Sequence, residues 1–249
     1  MRSCSSSTRG IFGGGRTPTA LNVIDFITIS STGNAQDFGD LTIALSNSGA
    51  CASSTRGVFG GGYAAPTHYN IIQYITIAST GNAQDFGDLS AAKDNMGSFS
   101  SSTRGVFGGG ESGPVYINVI EYITISSTGN AQDFGDLSVA KVGMSACSNS
   151  TRGVFGGGQS PTILNVIEYI TIATLGNAID FGDLTAAKTY SSACSSSTRG
   201  VFGGGWDFPV VYNVIEYITI LSTGNAQDFG DLSVAKIGMG ACSNGHGGL

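Results

Sequence analysis

The chain is short of charge, of histidine and of tryptophan. Only 11% of its 249 residues are charged, and it has two histidines and one tryptophan. Proteins that bind nucleic acid neutralise phosphates with clustered Lys and Arg. A net charge of -6, with no basic cluster, therefore excludes nucleic acid as the expected partner. The few histidines also leave little material for acid–base catalysis.

Long apolar runs are missing as well. A membrane-spanning helix needs roughly 18 consecutive apolar residues, whereas Asp, Glu or Thr interrupts each hydrophobic stretch of this chain. We therefore expect a soluble protein with no membrane insertion. The opening residues, MRSCSSSTRG, contain no apolar segment of the signal-peptide kind, so no Sec-dependent export is expected.

Glycine and internal repetition, in contrast, are plentiful. The chain has 39 glycines, and the tripeptide Thr-Arg-Gly recurs every 47 or 48 residues. A fixed period of this length is typical of repeat architectures, and it fits one four-stranded propeller blade. The five copies begin at Thr8, Thr55, Thr103, Thr151 and Thr198.

Each unit contains four strand-like segments. The segment NVIEYITI, residues 118–125, is rich in β-branched and aromatic residues and is mainly apolar on both faces, which predicts a strand packed between two other sheets. The turn STGN then leads into AQDFGDL. Upstream, SACSNS (145–150) is built from small residues that suit a crowded axis, and it forms a hairpin with RGVFGGG (152–158).

These segments predict an all-β fold with no helix, a single five-bladed β-propeller of four-stranded antiparallel blades. The small-residue strand of each blade is expected to be innermost. The predicted domain spans residues 1–249, with blades at approximately 1–43, 44–91, 92–139, 140–187 and 188–235 and a closing strand at 236–249.

The order of the segments resembles the kelch repeat of β-propellers. Gly157 and Gly158 match the kelch glycine pair, Glu168 and Tyr169 stand near its tyrosine and acid, and Phe181 stands where kelch usually has tryptophan. Here the acid precedes the tyrosine. The resemblance covers the whole chain and implies a propeller.

The amino-acid sequence of the repeat resembles the repeats of marine bacteriophage virion and tail-associated proteins. The segments concerned are RGVFGGG, NVIEYITI and GNAQDFGDL, together with the terminal CSNGHGGL. This resemblance implies a virion component, a fibre, tail or decoration module, made in the host cytoplasm and placed on the virion or extracellular surface. Its expected partners are other virion proteins or a glycan or protein of the host surface.

The cysteines follow the repeat. Cys4, Cys51, Cys147, Cys194 and Cys242 occupy one position of the first strand, where the third unit has Phe99. We expect small buried thiols, since no Cys-x-x-Cys pair is present to suggest a metal site.

The cysteine at 242 also marks a sixth copy of the first strand, whereas the other strands have five copies. We predict that this C-terminal copy (236–249) closes the ring within one chain, in competition with residues 1–7. The alternative is strand exchange with a neighbouring subunit, which would produce a homo-oligomer.

Most charges recur once per unit, which favours a structural role. The repeated arginines and acids are expected to form ion pairs within or between blades. The paired aspartates of DFGD leave calcium as an alternative, although they lack the dense ligand spacing of calcium loops. We predict no catalytic residues, no metal site and no cofactor.

The segments that disagree between units join the second and third strands and should emerge on one rim of the disc. Their aromatic and polar residues suit protein contact or sugar stacking. A lectin is therefore an alternative function, and a glycoside hydrolase using Glu111 and Asp207 is a second. Trp206 is also compatible with capping its own blade. The candidate ligand-binding residues are Tyr63, His68, Tyr69, Glu111, Tyr116, Trp206, Asp207, Phe208 and Tyr212.

Overall fold

The computed structural model describes residues 2–241 and is a five-bladed β-propeller. Five four-stranded antiparallel sheets follow one another along the chain, and no helix is present within the described residues. In every blade the strands lie in sequence order from the axis outward. The predicted fold class and strand order are confirmed.

The strand bounds repeat closely from blade to blade. Blade 1 comprises β1 (Arg2–Ser5), β2 (Arg9–Gly13), β3 (Val23–Thr28) and β4 (Gln36–Asp40). Blade 2 comprises β5 (Gly49–Ala52), β6 (Arg56–Ala64), β7 (Thr67–Thr76) and β8 (Gln84–Asp88). Blade 3 comprises β9 (Gly97–Ser100), β10 (Arg104–Gly108), a hairpin of β11 (Glu111–Ser112) and β12 (Val115–Tyr116), β13 (Val119–Thr124) and β14 (Gln132–Asp136).

The last two blades follow the plan of blade 3. Blade 4 comprises β15 (Ser145–Ser148), β16 (Arg152–Gly156), a hairpin of β17 (Gln159–Ser160) and β18 (Thr162–Ile163), β19 (Val166–Thr171) and β20 (Ile179–Asp183). Blade 5 comprises β21 (Ser192–Ser195), β22 (Arg199–Gly203), a hairpin of β23 (Trp206–Asp207) and β24 (Val210–Val211), β25 (Val214–Thr219) and β26 (Gln227–Asp231).

Small residues allow the inner strands to converge on the axis. An added Cβ at Gly57 would lie 2.9 Å from the sulfur of Cys4 in the preceding blade. Neighbouring inner strands are also joined by serine, since the backbone N–H of Ala50 donates to Ser98 Oγ at 2.9 Å. A larger side chain at these positions would push the blades apart.

The core consists of separate clusters, each lying between two successive blades. In the cluster between blades 1 and 2, Phe38 of the fourth strand packs against Ile75 and Ile77 of the next blade. Equivalent clusters lie between blades 2 and 3, 3 and 4, and 4 and 5. Both faces of a middle blade are therefore buried, which explains why its third strand is apolar on both sides.

Glycine permits a close backbone contact at the outer end of each of these interfaces. Gly87 has φ +144°, and an added Cβ would lie 2.5 Å from the backbone of Gly129 in the next blade. The N–H of Gly129 donates to the carbonyl of Phe86 at 2.7 Å, so the two blades are joined by backbone hydrogen bonding as well as by packing.

The predicted pairing of repeat arginines with repeat acids is wrong. Arg104 lies over the ring of Tyr122, with Cζ 4.6 Å from the centroid, and its Nη1 donates to the carbonyl of Ile172 in the next blade at 2.6 Å. The third-strand acid instead pairs with lysine, as shown by Lys141 Nζ at 2.5 Å from Glu168 Oε2. The arginine begins the second strand of its blade. There it lies beside the end of the third strand of the next blade, where a backbone carbonyl and not a carboxylate accepts its hydrogen bond.

The lysine–glutamate pairs are buried between blades 2 and 3, 3 and 4, and 4 and 5. Between blades 1 and 2, both partners are replaced by neutral residues, Leu45 and Gln73. The N–H of Thr42 donates to Gln73 Oε1 at 2.7 Å. The equivalent hydrogen bond in a charged interface runs from the N–H of Ser138 to Glu168. The charge is therefore replaceable when both partners change together.

The N-terminal copy of the first strand, not the C-terminal copy, completes the first blade. Arg2–Ser5 pairs with Arg9–Gly13, whose other edge pairs with Val23–Thr28, so no edge of β2 remains for a further strand. Of the predicted closing strand, residues 236–241 form no strand and residues 242–249 lie outside the described residues. Ser192 Oγ donates to the carbonyl of Met239, and Gly240 lies beside Ser3, so this segment lies between the inner strands of blades 5 and 1.

No helix long and apolar enough to cross a bilayer occurs between residues 2 and 241.

Candidate functional site

Two sets of connections lie on the same face of the propeller, which we call the loop face. One set joins the second and third strands of a blade, and the other joins one blade to the next. Backbone bridges connect the two sets at Ser46 and Tyr63, at Asp94 and Glu111, and at Thr189 and Trp206. The predicted rim loops are therefore attached to the segments that lead into the inner strands.

A cluster of polar side chains on this face joins blades 2 and 3. His68 Nδ1 lies 3.3 Å from Asp94 Oδ1, and its Nε2 accepts a hydrogen bond from the N–H of Gly113 at 3.1 Å. Because Nε2 is the acceptor, a neutral imidazole carries its proton on Nδ1, facing the carboxylate. The ring of Tyr63 lies beside the imidazole with centroids 4.9 Å apart.

Asn95 links the two acids of this cluster. Its Nδ2 is 3.0 Å from Glu111 Oε1 and 3.3 Å from Asp94 Oδ2, and Asn47 Nδ2 donates to the same Asp94 oxygen at 3.2 Å. Asp94 is only 2% exposed. Burial raises the pKa of Asp94 above its ordinary value, and the nearby carboxylate of Glu111 raises it further, against the lowering effects of Asn47 and His68.

The cluster borders a cavity of about 300 Å³ at the axis, which we call the axial mouth. Its lining includes Arg2, Asn47, Asn95 and Tyr190. Burial lowers the pKa of Arg2, while Asp94 and Tyr190 raise it; burial raises the pKa of Tyr190, as do Glu111 and Asp94. Cation, carboxylates and phenol are thus close enough to affect one another's ionisation.

The backbone at the axial mouth is unusual for the residues that it carries. Asn47, Asn95 and Tyr190 have φ values of 57°, 53° and 52°, and the equivalent positions in the other units are Gly143 and Gly238 at 68° and 65°. Glycine and asparagine adopt this left-handed conformation readily, whereas a bulky tyrosine does so at a cost. Strain of this kind is concentrated at functional sites, which marks Tyr190 for attention.

The predicted residues of blade 5 form a separate aromatic group. The rings of Trp206 and Phe208 meet edge to face at 5.9 Å, and Phe208 is 77% exposed. Trp206 is half-buried, and its Nε1 is shielded from solvent without a hydrogen-bond partner in the described structure. Tyr212 lies over Lys188, with Nζ 5.7 Å from the ring centroid.

The structure therefore divides the predicted site residues. His68, Tyr63 and Glu111 are brought together between blades 2 and 3, and Tyr116 pairs with Glu111 across the β11–β12 hairpin. Tyr69 is half-buried at the base of its loop, where its carbonyl accepts the N–H of Lys93 at 3.2 Å. The Trp206 group lies on another blade.

Several residues of the axial mouth and of the polar cluster beside it were not among the predicted site residues. They do carry a sequence signal. Each is either a residue type that other units lack at the same position, or an acid that does not belong to the repeat. The position two residues after the interface lysine reads Asn, Asn, Gly, Tyr and Gly in successive units. The residues concerned are Arg2, Asn47, Asp94, Asn95 and Tyr190.

The arrangement is suited to holding a polar ligand. Amide, phenol and guanidinium groups line a concave opening, and one of the amides, that of Asn95, also contacts the carboxylate of Glu111. Between residues 2 and 241, no group of three or more His, Cys, Asp and Glu side chains is arranged to hold a metal ion. The scan against protein-family models and the search of curated proteins found no match to the chain.

Proposed function

We propose that this protein is a non-catalytic attachment module of a virus particle that binds a surface glycan through its loop face. The virion assignment is supported by the resemblance of the repeat sequence to those of phage virion proteins. The glycan assignment is supported by one observation above all, the set of amide, phenol and guanidinium groups that line the axial mouth.

Sugar hydroxyl groups both donate and accept hydrogen bonds, so a site for them needs acceptors and donors close together. Asn47 and Asn95 provide amides and Tyr190 provides a phenol at the cavity, and the half-buried Glu111 provides a carboxylate that Asn95 orients. Aromatic rings add stacking surface for the apolar face of a sugar. A particle that carries many copies would bind by multivalency even if each site were weak.

The test is a glycan array followed by calorimetry with the glycans that bind. Asn95→Gly and Tyr190→Gly remove side chains but introduce the residue that occupies this position at Gly143 and Gly238. We expect both variants to fold normally and to lose glycan binding. Gln159→Ala, in the loop of blade 4, is the matched control and should bind normally.

Unchanged binding in both glycine variants would contradict the proposed site, and a purified chain that binds no glycan would contradict the glycan assignment. Turnover of a glycoside that is abolished by Glu111→Gln would instead favour a hydrolase.

The Trp206 group favours a second candidate, a protein partner. An exposed Phe208 that packs edge to face on Trp206 provides an aromatic anchor for such a contact. Binding to purified particles that is lost in Phe208→Ala but retained in Asn95→Gly would support this candidate over glycan attachment.

A further inference from the structure

The outward face of blade 5 has the features of a blade interface, but none of the blades within residues 2–241 packs on it. Phe229 is 56% exposed, whereas the equivalent Phe181 of blade 4 is 2% exposed. Gly230 has φ +140°, and no atom of the described residues lies within 4 Å of an added Cβ there, although Gly182 at the same position meets the backbone of Gly224. One half of the repeating contact is therefore uncovered.

The opposite face of blade 1 presents the other half. Ile29 is 46% exposed, and its counterpart Ile77 is 2% exposed. In blade 2 the N–H groups of Gly81 and Ala83 donate to Phe38 and Asp40 of the preceding blade at 2.7 and 2.8 Å. At the corresponding position of blade 1, Ala35 is exposed, whereas Ala83 is 7% exposed.

The charges at these two faces follow the same pattern. Lys236 occupies the position of Lys188, which pairs with Glu216 of the next blade in full burial, yet Lys236 is exposed. Asp25 occupies the position of the acid that such a lysine contacts. The interface that lacks this pair has lost both charges, at Leu45 and Gln73. Lys236 and Asp25 thus retain charges that match a buried partner.

One inner segment of the chain separates these faces at the axis. Residues 239–241 lie there as a single inner segment, in contact with Ser192 of blade 5 and Ser3 of blade 1. Each of the five blades contributes one inner strand at the axis, so a single inner segment at this place corresponds to one further blade.

We propose that the opening between blades 5 and 1 binds one further blade of the same repeat, supplied by a separate polypeptide. That polypeptide contributes second, third and fourth strands, with a glutamate that contacts Lys236 and a lysine that contacts Asp25. Arg199, stacked at 4.5 Å over Tyr217, then donates to the end of the incoming third strand as Arg152 does to Ile220. This inference is independent of the ligand of the loop face.

The test uses the full chain and a fluorescent synthetic peptide with the sequence of residues 150–188, which carries Glu168 and Lys188. We expect saturable binding by fluorescence anisotropy. Lys236→Glu should weaken binding by at least about tenfold, because it places two carboxylates together. A peptide carrying Glu168→Lys should restore binding to that variant. The peptide of residues 54–93, which has Gln73 in place of the acid, is the matched control and should bind wild type more weakly.

Hydrogen exchange of the chain alone provides a second measurement. We expect rapid exchange at Gly33 and Ala35 and slow exchange at Gly81 and Ala83, whose N–H groups donate to blade 1. Equal protection of the two pairs would mean that the ring closes on itself and would overturn the proposal. Absence of peptide binding, or binding that is unchanged by Phe229→Asp, would also overturn it.

Discussion

The buried Lys141–Glu168 pair provides the most informative perturbation of the fold. The two side chains are no more than 2% exposed, and Nζ lies 2.5 Å from Oε2. Lys141→Leu leaves Glu168 buried without its cation, which costs about 3–5 kcal/mol in comparable buried pairs. Adding Glu168→Gln reproduces the neutral Leu45 and Gln73 pair that this chain already uses between blades 1 and 2. We expect the double variant to recover most of the lost free energy of unfolding.

The pH dependence should distinguish the single variant from wild type. Burial raises the pKa of Glu168, but Lys141 and the hydrogen bonds of Ser138 outweigh it and hold the pKa below its ordinary value. A lowered pKa in the folded state means that wild type loses this stability as pH falls through the folded pKa. In Lys141→Leu, burial acts without the cation and raises the pKa, so the variant should become less destabilised relative to wild type as pH falls.

Urea unfolding of wild type, single and double variants from pH 4 to 8 measures both effects. A cost below about 1 kcal/mol for Lys141→Leu, the range of an exposed pair, would refute the reasoning. A double variant no more stable than the single one would refute the equivalence with the neutral interface.

Three other outcomes follow from the interfaces. Gly182→Ala should destabilise the protein by several kcal/mol, because its Cβ would lie 2.5 Å from the backbone of Gly224; Gly230→Ala, with φ +140° but no neighbour, should cost only about 1 kcal/mol in thermal unfolding. Phe181→Ala should cost about 3–5 kcal/mol, whereas the same change at the exposed Phe229 should cost much less, and equal costs would contradict the open face. Burial, and then Cys194, raises the pKa of Cys147 to about 12, so native protein at pH 8 should resist alkylation there; rapid modification by mass spectrometry would contradict this.

The blade architecture could be predicted from sequence because each unit repeats the same local signals. Small residues in the first segment, β-branched residues on both sides of the third and glycine at the close contacts all favour one strand order. The partners of the charges could not be predicted in this way. Recurrence shows that every unit has the arginine of Arg152 and that every unit but the second has an acid at the position of Glu168. Only the blade-to-blade spacing shows that arginine contacts a carbonyl and that lysine contacts the acid.

The candidate site was predictable only in part. His68, Tyr63 and Glu111 stand out because they occur where the units disagree. Asp94 and Asn95 come from a different connection, and their contact with Glu111 depends on two loops meeting across the loop face. Residues far apart in the chain become neighbours through blade packing, for which the sequence carries no local signal.

The sequence by itself determined the number of blades, the order of their strands and the small inner strand, since these follow from periodicity and side-chain size. Only the tertiary structure decided which copy of the first strand completes blade 1 and which faces stay uncovered. Pairing on one edge of β2 by Arg2–Ser5 and on the other by Val23–Thr28 leaves no place for the C-terminal copy, and that competition depends on the three-dimensional arrangement of strands with nearly identical sequences.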